Sequence, residues 1–227
     1  MVISLNFIKD FDYSFYIINL LEKLFKIKSA RRKRPNQNTL VVVCSSTSLV
    51  EFLIKKGAVK GNKIRGKIDI PLWIQYNHKY LKHFVRGVID TDGCIYVHKH
   101  KVKGILYKHI GLCFTNLSLN LILSVSKALS LLEIKHSITD KERRIYIYGL
   151  ENVTKYLSIV GSSNPRLEKV FYNWKGARVV ESTRLESVRN RKITGGSNPP
   201  PSAKFLFSLV YYRSLNCSCR FYNSRQY

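Results

Sequence analysis

Two acidic residues, one position apart, close an apolar helical run at Asp90-Thr91-Asp92-Gly93. Ahead of them Leu81, Phe84, Val85, Val88 and Ile89 recur at three- and four-residue steps, the spacing of one helix face. Gly87 leaves a spot on that helix where a second helix can approach closely. A carboxylate at a helix C-terminus faces the negative end of the dipole, which is unfavourable unless a cation compensates. Oxygen ligands at such a place suit Mg²⁺ (or Mn²⁺), which keeps several waters and shares phosphate oxygens. Phosphodiester hydrolysis uses that arrangement: ions held by carboxylates activate water and stabilise the leaving oxygen. The plainer reading is a helix stop with a tight turn, for which Asp and Gly are ordinary choices. In either reading Gly93 is expected in the left-handed cap conformation. A calcium loop is set aside, because Gly93 comes too early after Asp90 and Cys94-Ile95-Tyr96 brings no carboxylate or amide side chain.

That helix needs a scaffold, and the chain of 227 residues with 45% hydrophobic content is long enough for one large or two small cored domains. Two stretches repeat one pattern. Ile3, Leu5 and Phe7 alternate as a half-buried strand should, and Ile110, Leu112 and Phe114 do so again. Each strand leads to an amphipathic helix. Asp12 opens the first, through Ile17, Leu20, Leu21, Leu24 and Phe25 to Ile27-Lys28; Ser118 opens the second, through Ile122, Val125, Leu129 and Leu132 to Ile134-Lys135. Leu40-Val41-Val42-Val43 is then answered by Ile145-Tyr146-Ile147-Tyr148, and a short helix ending at Gly57 by one ending at Gly161. Chance alternation is the alternative to a true repeat. Only the second copy is preceded by the acidic helix, so the first is expected to lack its opening helix and first strand. The expected units are a partial repeat over 1–62, a basic linker over 63–79, a whole repeat over 80–174 and a tail over 175–227.

Lys and Arg number 39 against 14 Asp and Glu, a net charge of +25. Such an excess points to a polyanionic partner, since each basic group held near a phosphate releases a counterion. A solubility bias or a basic ribosomal or scaffold protein is the duller account. Five scattered cysteines without paired CxxC spacing suggest a reducing compartment and no structural metal. No apolar run approaches the roughly 20 residues of a membrane span, and no signal-peptide layout opens the chain. An intracellular protein, cytoplasmic or in an organellar matrix, away from membranes, is expected.

Val85-Arg86-Gly87-Val88-Ile89-Asp90-Thr91-Asp92-Gly93 matches the nine-residue LAGLIDADG pattern in its apolar positions, its glycines and both acids, with Arg86 where the pattern has alanine. Ile70-Pro71-Leu72-Trp73-Ile74 resembles the segment that often precedes a second motif, and Gly161-Ser162-Ser163-Asn164-Pro165 the usual close. The chain from Met1 to about Lys175 thus resembles the LAGLIDADG (DOD-type) homing endonucleases. That resemblance implies an α+β fold of tandem αββαββα repeats, their antiparallel sheets spread as a saddle on duplex DNA, here with an incomplete first repeat. It implies a site-specific, metal-dependent double-strand endonuclease of the intron-homing kind. Asp92 matches the metal-binding catalytic carboxylate, Thr91 the position whose main-chain carbonyl completes the metal shell, and Asp90, with Gly87 and Gly93, the structural part of the motif. The family's basic residue near the scissile phosphate is assigned to Lys67, with Lys63 as the other choice. The other reading is a non-cleaving maturase or regulator, or a decayed remnant, which the missing first motif helix favours. A homodimer pairing two Tyr80–Asp90 helices would restore two carboxylates.

Two clusters are expected to contact DNA: Arg31, Arg32, Lys33 and Arg34, and the hairpin carrying Tyr96, His98, His100, Lys101 and Lys103, with Tyr107 and His109. Side chains alternate along a strand, so Tyr96, His98 and His100 share one face. Lys175 to Ser202 shows no periodicity. The codons open to Gly195-Gly196-Ser197-Asn198-Pro199 can spell a transfer-RNA T-arm, which marks the tail as translated tRNA-like sequence; a flexible basic tail is the alternative.

Overall fold

The computed structural model describes residues 1–61, 68–139, 141 and 143–183, with side chains as far as residue 176. Lys63 and Lys67, and the tail from residue 184 onward, lie outside the described residues.

The chain is an α+β protein built on two antiparallel sheets. The first unit runs β1 (Val2–Asn6), α1 (Phe11–Phe25), β2 (Ala30–Lys33), β3 (Thr39–Val43) and α2 (Thr47–Lys55). After a short α3 (Leu72–Gln75), the second unit runs α4 (His78–Asp92), β4 (Gly93–Val102), β5 (Ile105–Thr115), α5 (Leu119–Leu131), β6 (Ser137–Thr139), β7 (Arg144–Tyr148) and α6 (Leu150–Ile159), and α7 (Pro165–Thr183) follows. The strand order β1-β3-β2 of the first sheet equals β5-β7-β6 of the second, which adds β4 outside β5. Registers agree as well: Ile3 faces Val42 and Leu5 faces Leu40, as Leu112 faces Ile147 and Phe114 faces Ile145. The first unit therefore repeats the second from its second strand onward.

Local chemistry explains the element ends. Ser46, Asn77 and Ser118 cap α2, α4 and α5 through side-chain oxygens that accept from backbone N–H groups of the first turn. Gly57 and Gly161 follow the matching helices α2 and α6 with φ of +103° and +74°, where a side chain would be strained. Three boundaries and one strand differ from the sequence expectation. The helix expected to open at Asp12 starts at Phe11, after Asp10, and stops at Lys26, whose φ of 56° ends it before Ile27. Arg31, Arg32 and Lys33, read as a basic cluster, belong to edge strand β2, which exists because it pairs with β3. At the other end, α7 continues past Lys175 to Thr183.

A helix that is apolar on one stripe lies on a core, whereas one buried on every side lies within it. Past its exposed first turn α4 comes close to the second kind: Leu81, Phe84, Val85, Val88 and Ile89 are at most 2% exposed, His83, Gly87, Asp90 and Asp92 are buried with them, and Lys82 and Arg86 are half-buried. One continuous apolar core joins Ile3, Leu5, Ile17 and Leu21 of the first unit to Phe84, Leu112, Ile122 and Ile147 of the second. Each such side chain contributes about 1.5–3 kcal/mol on burial.

Candidate functional site

α4 delivers its two acids to different surroundings. Asp92, in the last turn, is buried at 6% exposure, and the Asn116 amide donates from Nδ2 to its Oδ2 at 3.4 Å. Asn116 holds that orientation because its Oδ1 accepts from Ser118 N at 2.9 Å, which leaves the NH₂ group toward Asp92. The same turn draws in positive charge. Asn116 N donates to the Arg143 carbonyl at 3.2 Å, Thr115 pairs with Arg144 across β5 and β7, and the Arg143 guanidinium donates to the Leu117 carbonyl. Asn116, Arg143 and Arg144 were not singled out from the sequence. Their charge and amide were visible there, but only the strand register brings them to the end of α4.

Gly93 departs from the left-handed conformation expected of it: φ is −94° and ψ 165°, ordinary extended backbone. Space is the reason for glycine here, since a Cβ would stand 2.6 Å from the Ile89 carbonyl oxygen and 2.8 Å from Ile89 Cγ2. The chain leaves α4 directly into β4 with no room for a side chain. Thr91 turns its hydroxyl back along the helix, donating to the Gly87 and Val88 carbonyls at 3.0 Å each.

Asp90 is fully buried. Its carboxylate accepts from Ser162 Oγ at 2.6 Å and Ser163 N at 2.8 Å. Burial pushes its carboxyl up to about 7, against the opposing pull of those hydrogen bonds and of Arg86 and Arg166. Asn164 Nδ2 donates both to the Asp90 carbonyl and to Asp10 Oδ1, at 2.9 Å each. Arg166 then pairs with Asp10 at 3.0 Å and donates to the Gly93 carbonyl at 3.2 Å. Gly161-Ser162-Ser163-Asn164-Pro165 thus clasps the end of α4 to the start of α1. Arg86 has a place in the same clasp, its Nε donating to the Val160 carbonyl at 2.6 Å. Tyr13 and Tyr156 pack beside Asp90 with buried hydroxyls; burial, and after it the Asp90 charge, raises both.

The two sheets present different outer faces. On the second, His98 pairs with His109 and His100 with Tyr107 across β4 and β5, and Tyr96 lies over Gly111. Tyr148 and Tyr146 continue this face on β7, their rings stacked at 5.3 Å. Lys101 alternates onto the opposite face from His100, and Lys103 occupies the hairpin turn with φ 49°. In the first sheet Arg32 lies on the outer face. Arg31 and Lys33 lie on the α1 side: the Arg31 guanidinium sits 4.4 and 4.0 Å from the Phe11 and Phe15 ring centres, and Lys33 Nζ 4.5 Å from that of Phe7. Arg34 closes the β2–β3 turn through its N–H to the Thr39 carbonyl.

Residues 79–161, which hold α4 from its second residue and the whole of its sheet, match the family model of the LAGLIDADG-like domain. This part of the chain is a LAGLIDADG-like domain. Its fold is similar to that of the I-SmaMI LAGLIDADG homing endonuclease bound to cleaved DNA, with a TM-score of 0.52 at 10% identity over 81% of this chain and 79% of that one. Meganuclease I-SmaMI bound to uncleaveable DNA gives a TM-score of 0.51 at 11% identity, over 81% and 79% of the two chains. At this identity the likeness concerns the fold. No curated protein matches the sequence.

The LAGLIDADG helix offers a divalent ion one buried carboxylate, Asp92, and the last-turn carbonyls that a helix leaves without intrahelical partners. Among the described residues no three His, Cys, Asp or Glu side chains gather to hold a metal. This donor set does not make an all-protein cage. It does fit an ion of the Mg²⁺ kind, bound through one or two carboxylates and completed by waters and phosphate oxygens. No described helix is long and apolar enough to cross a membrane.

Proposed function

We propose that this LAGLIDADG protein binds duplex DNA across the outer faces of its two sheets and hydrolyses a phosphodiester bond at Asp92, as a homing-type endonuclease. The observation that carries this reading is the end of α4, where an oriented amide holds a buried carboxylate and the main chain of the same turn pairs with that of Arg143 and Arg144. Asp92, with the Thr91 main-chain carbonyl, is the group to hold Mg²⁺ or Mn²⁺. The bound ion supplies water activation and neutralisation of the leaving oxygen. Asn116 holds one oxygen of Asp92 and so orients its carboxylate. Arg143 and Arg144 stand where they can neutralise the scissile phosphate, a role that Lys67 would share.

The apolar residues of the LAGLIDADG helix are already packed inside this chain. That supports action by one chain over a homodimer that pairs two Tyr80–Asp90 helices. A second reading, binding without cleavage, is favoured because only one helix among the described residues brings a carboxylate of the Asp92 kind, where cutting both strands calls for one from each of two packed helices.

Incubation of supercoiled plasmid carrying candidate sites with Mg²⁺, beside an Asp92→Asn variant, separates these readings. The nuclease reading expects nicked or linear product from the parent, a loss of about 10²-fold or more in the variant, and equal gel shifts from both. Equal cleavage by both removes Asp92 from the mechanism, and a shift without cleavage in Mg²⁺ or Mn²⁺ selects the non-cleaving binder.

A further inference from the structure

β4 and β5 carry an imidazole cluster for which the cleavage chemistry has no use. His100 stacks on His98, on Tyr107 and on His109 with ring centres 5.5, 5.6 and 5.0 Å apart and interplanar angles of 27°, 16° and 11°. His98 and His109 face each other across the strands and are exposed. The ladder therefore lies open on the outer face of the second sheet, toward the β4–β5 turn and away from the arginines at the end of α4, on the side proposed to meet DNA.

The strands themselves carry no counter-charge, and α6, which packs on β5, opens with a single acid, Glu151. From Gly93 to Thr115, and from Arg144 to Tyr148, there is no Asp or Glu. Sharing its face are Tyr96 on its own strand, Tyr107 on β5, and Tyr146 and Tyr148 on β7, with Arg144 at the far end of β7; Lys99, Lys101 and Lys108 alternate to the other face. His100 also has a buried Nδ1 with no hydrogen-bond partner, so protonating that ring buries an N–H that nothing in the described chain accepts. Imidazoles change charge between about pH 5 and pH 8. Adjacent imidazolium rings at 5 Å repel, and no acid of the sheet offsets them. A polyanion laid on this face supplies the missing charge.

We propose that the His98–His100–His109 ladder is a proton-linked DNA contact: docking of a duplex draws protons onto it, so binding tightens as pH falls. The proposal rests on the duplex binding put forward above. By linkage, a site that takes up protons on binding gains affinity as pH falls, and the gain disappears as pH rises past the bound-state titration. Each added imidazolium also releases a counterion from the duplex, which steepens the salt dependence by about 0.9 in the log–log slope.

The test is fluorescence anisotropy with a labelled duplex of arbitrary sequence in EDTA, at about pH 6 and about pH 8.5, on either side of imidazole titration, with a salt titration at each pH. The full chain should bind at least about tenfold more tightly at the lower pH, with a salt slope steeper by about 0.9 or more. The exposed pair His98→Gln/His109→Gln should lose most of both differences. His98→Lys/His109→Lys should bind at the higher pH as the parent does at the lower, which also shows that the hairpin tolerates substitution. The same pH dependence in the Gln pair, or an unchanged salt slope, overturns the proposal. Duplex binding that ignores pH overturns it alone, whereas no duplex binding at either pH overturns the reading beneath it as well.

Discussion

Asp90 and Asp92 are two residues apart on one helix and meet different physics. Asp92 has an amide donor beside it, at the edge of the core. Asp90 is sealed inside, where burial outweighs its hydrogen bonds and raises its carboxyl from the ordinary 3.8 to about 7. The sign follows from linkage: between those values the folded chain binds a proton that the unfolded chain has lost, so stability falls as pH rises through that window and levels off above it. The melting temperature of Asp90→Asn relative to the parent should therefore climb from about pH 4 to about pH 7 and then stay level. A constant offset across that range would show that Asp90 ionises as easily in the folded chain as in the unfolded one. At this scale the sequence was informative about the motif and silent about its neighbours. The apolar spacing and acids of Val85 to Gly93 mark the helix, but Asn116, Arg143 and Arg144 join it through a register between strands far apart in sequence. Gly93 was read through its torsional freedom, whereas its role is set by Ile89, against which the chain turns.

Elements with strong periodicity were legible, and those made by pairing were not. β1, β3, β5 and β7, and the helices between them, follow from alternation and three-to-four spacing. β2 has no apolar alternation and forms because β3 offers it a ladder. The clasp from Gly161 to Pro165 was recognised as a closing motif, but its action lies in long-range hydrogen bonds: one Asn164 amide ties α4 to the start of α1 through Asp90 and Asp10. Asn164→Ala should cost about 1–3 kcal/mol in urea unfolding, because it leaves buried acceptors without their donor. Asn152, whose exposed amide reaches the Tyr148 carbonyl, is the control, with a loss within about 0.5 kcal/mol for its alanine variant. Equal losses at the two sites would mean that the clasp adds nothing beyond a surface contact.

At the scale of the molecule, the two units drain into one core, and α4 is its axis. Low sequence identity between the copies hid none of this, because order, register and burial repeat where residues do not. A consequence of the shared core concerns measurement. Side-chain packing fixes the distance between the two sheet faces, so on the proposed duplex the protein would act as a ruler with fixed marks. One extra base pair between the halves of a bound site moves one half by about 3.4 Å along the helix axis and turns it around the axis. A close-packed interior cannot stretch to follow. Competition between duplexes with and without that insertion should cost at least about tenfold in affinity, the loss of one good base-pair contact or more; equal affinity would mean that the sheets grip DNA independently. Target length would then be written in the hydrophobic core, in residues that never touch a nucleotide.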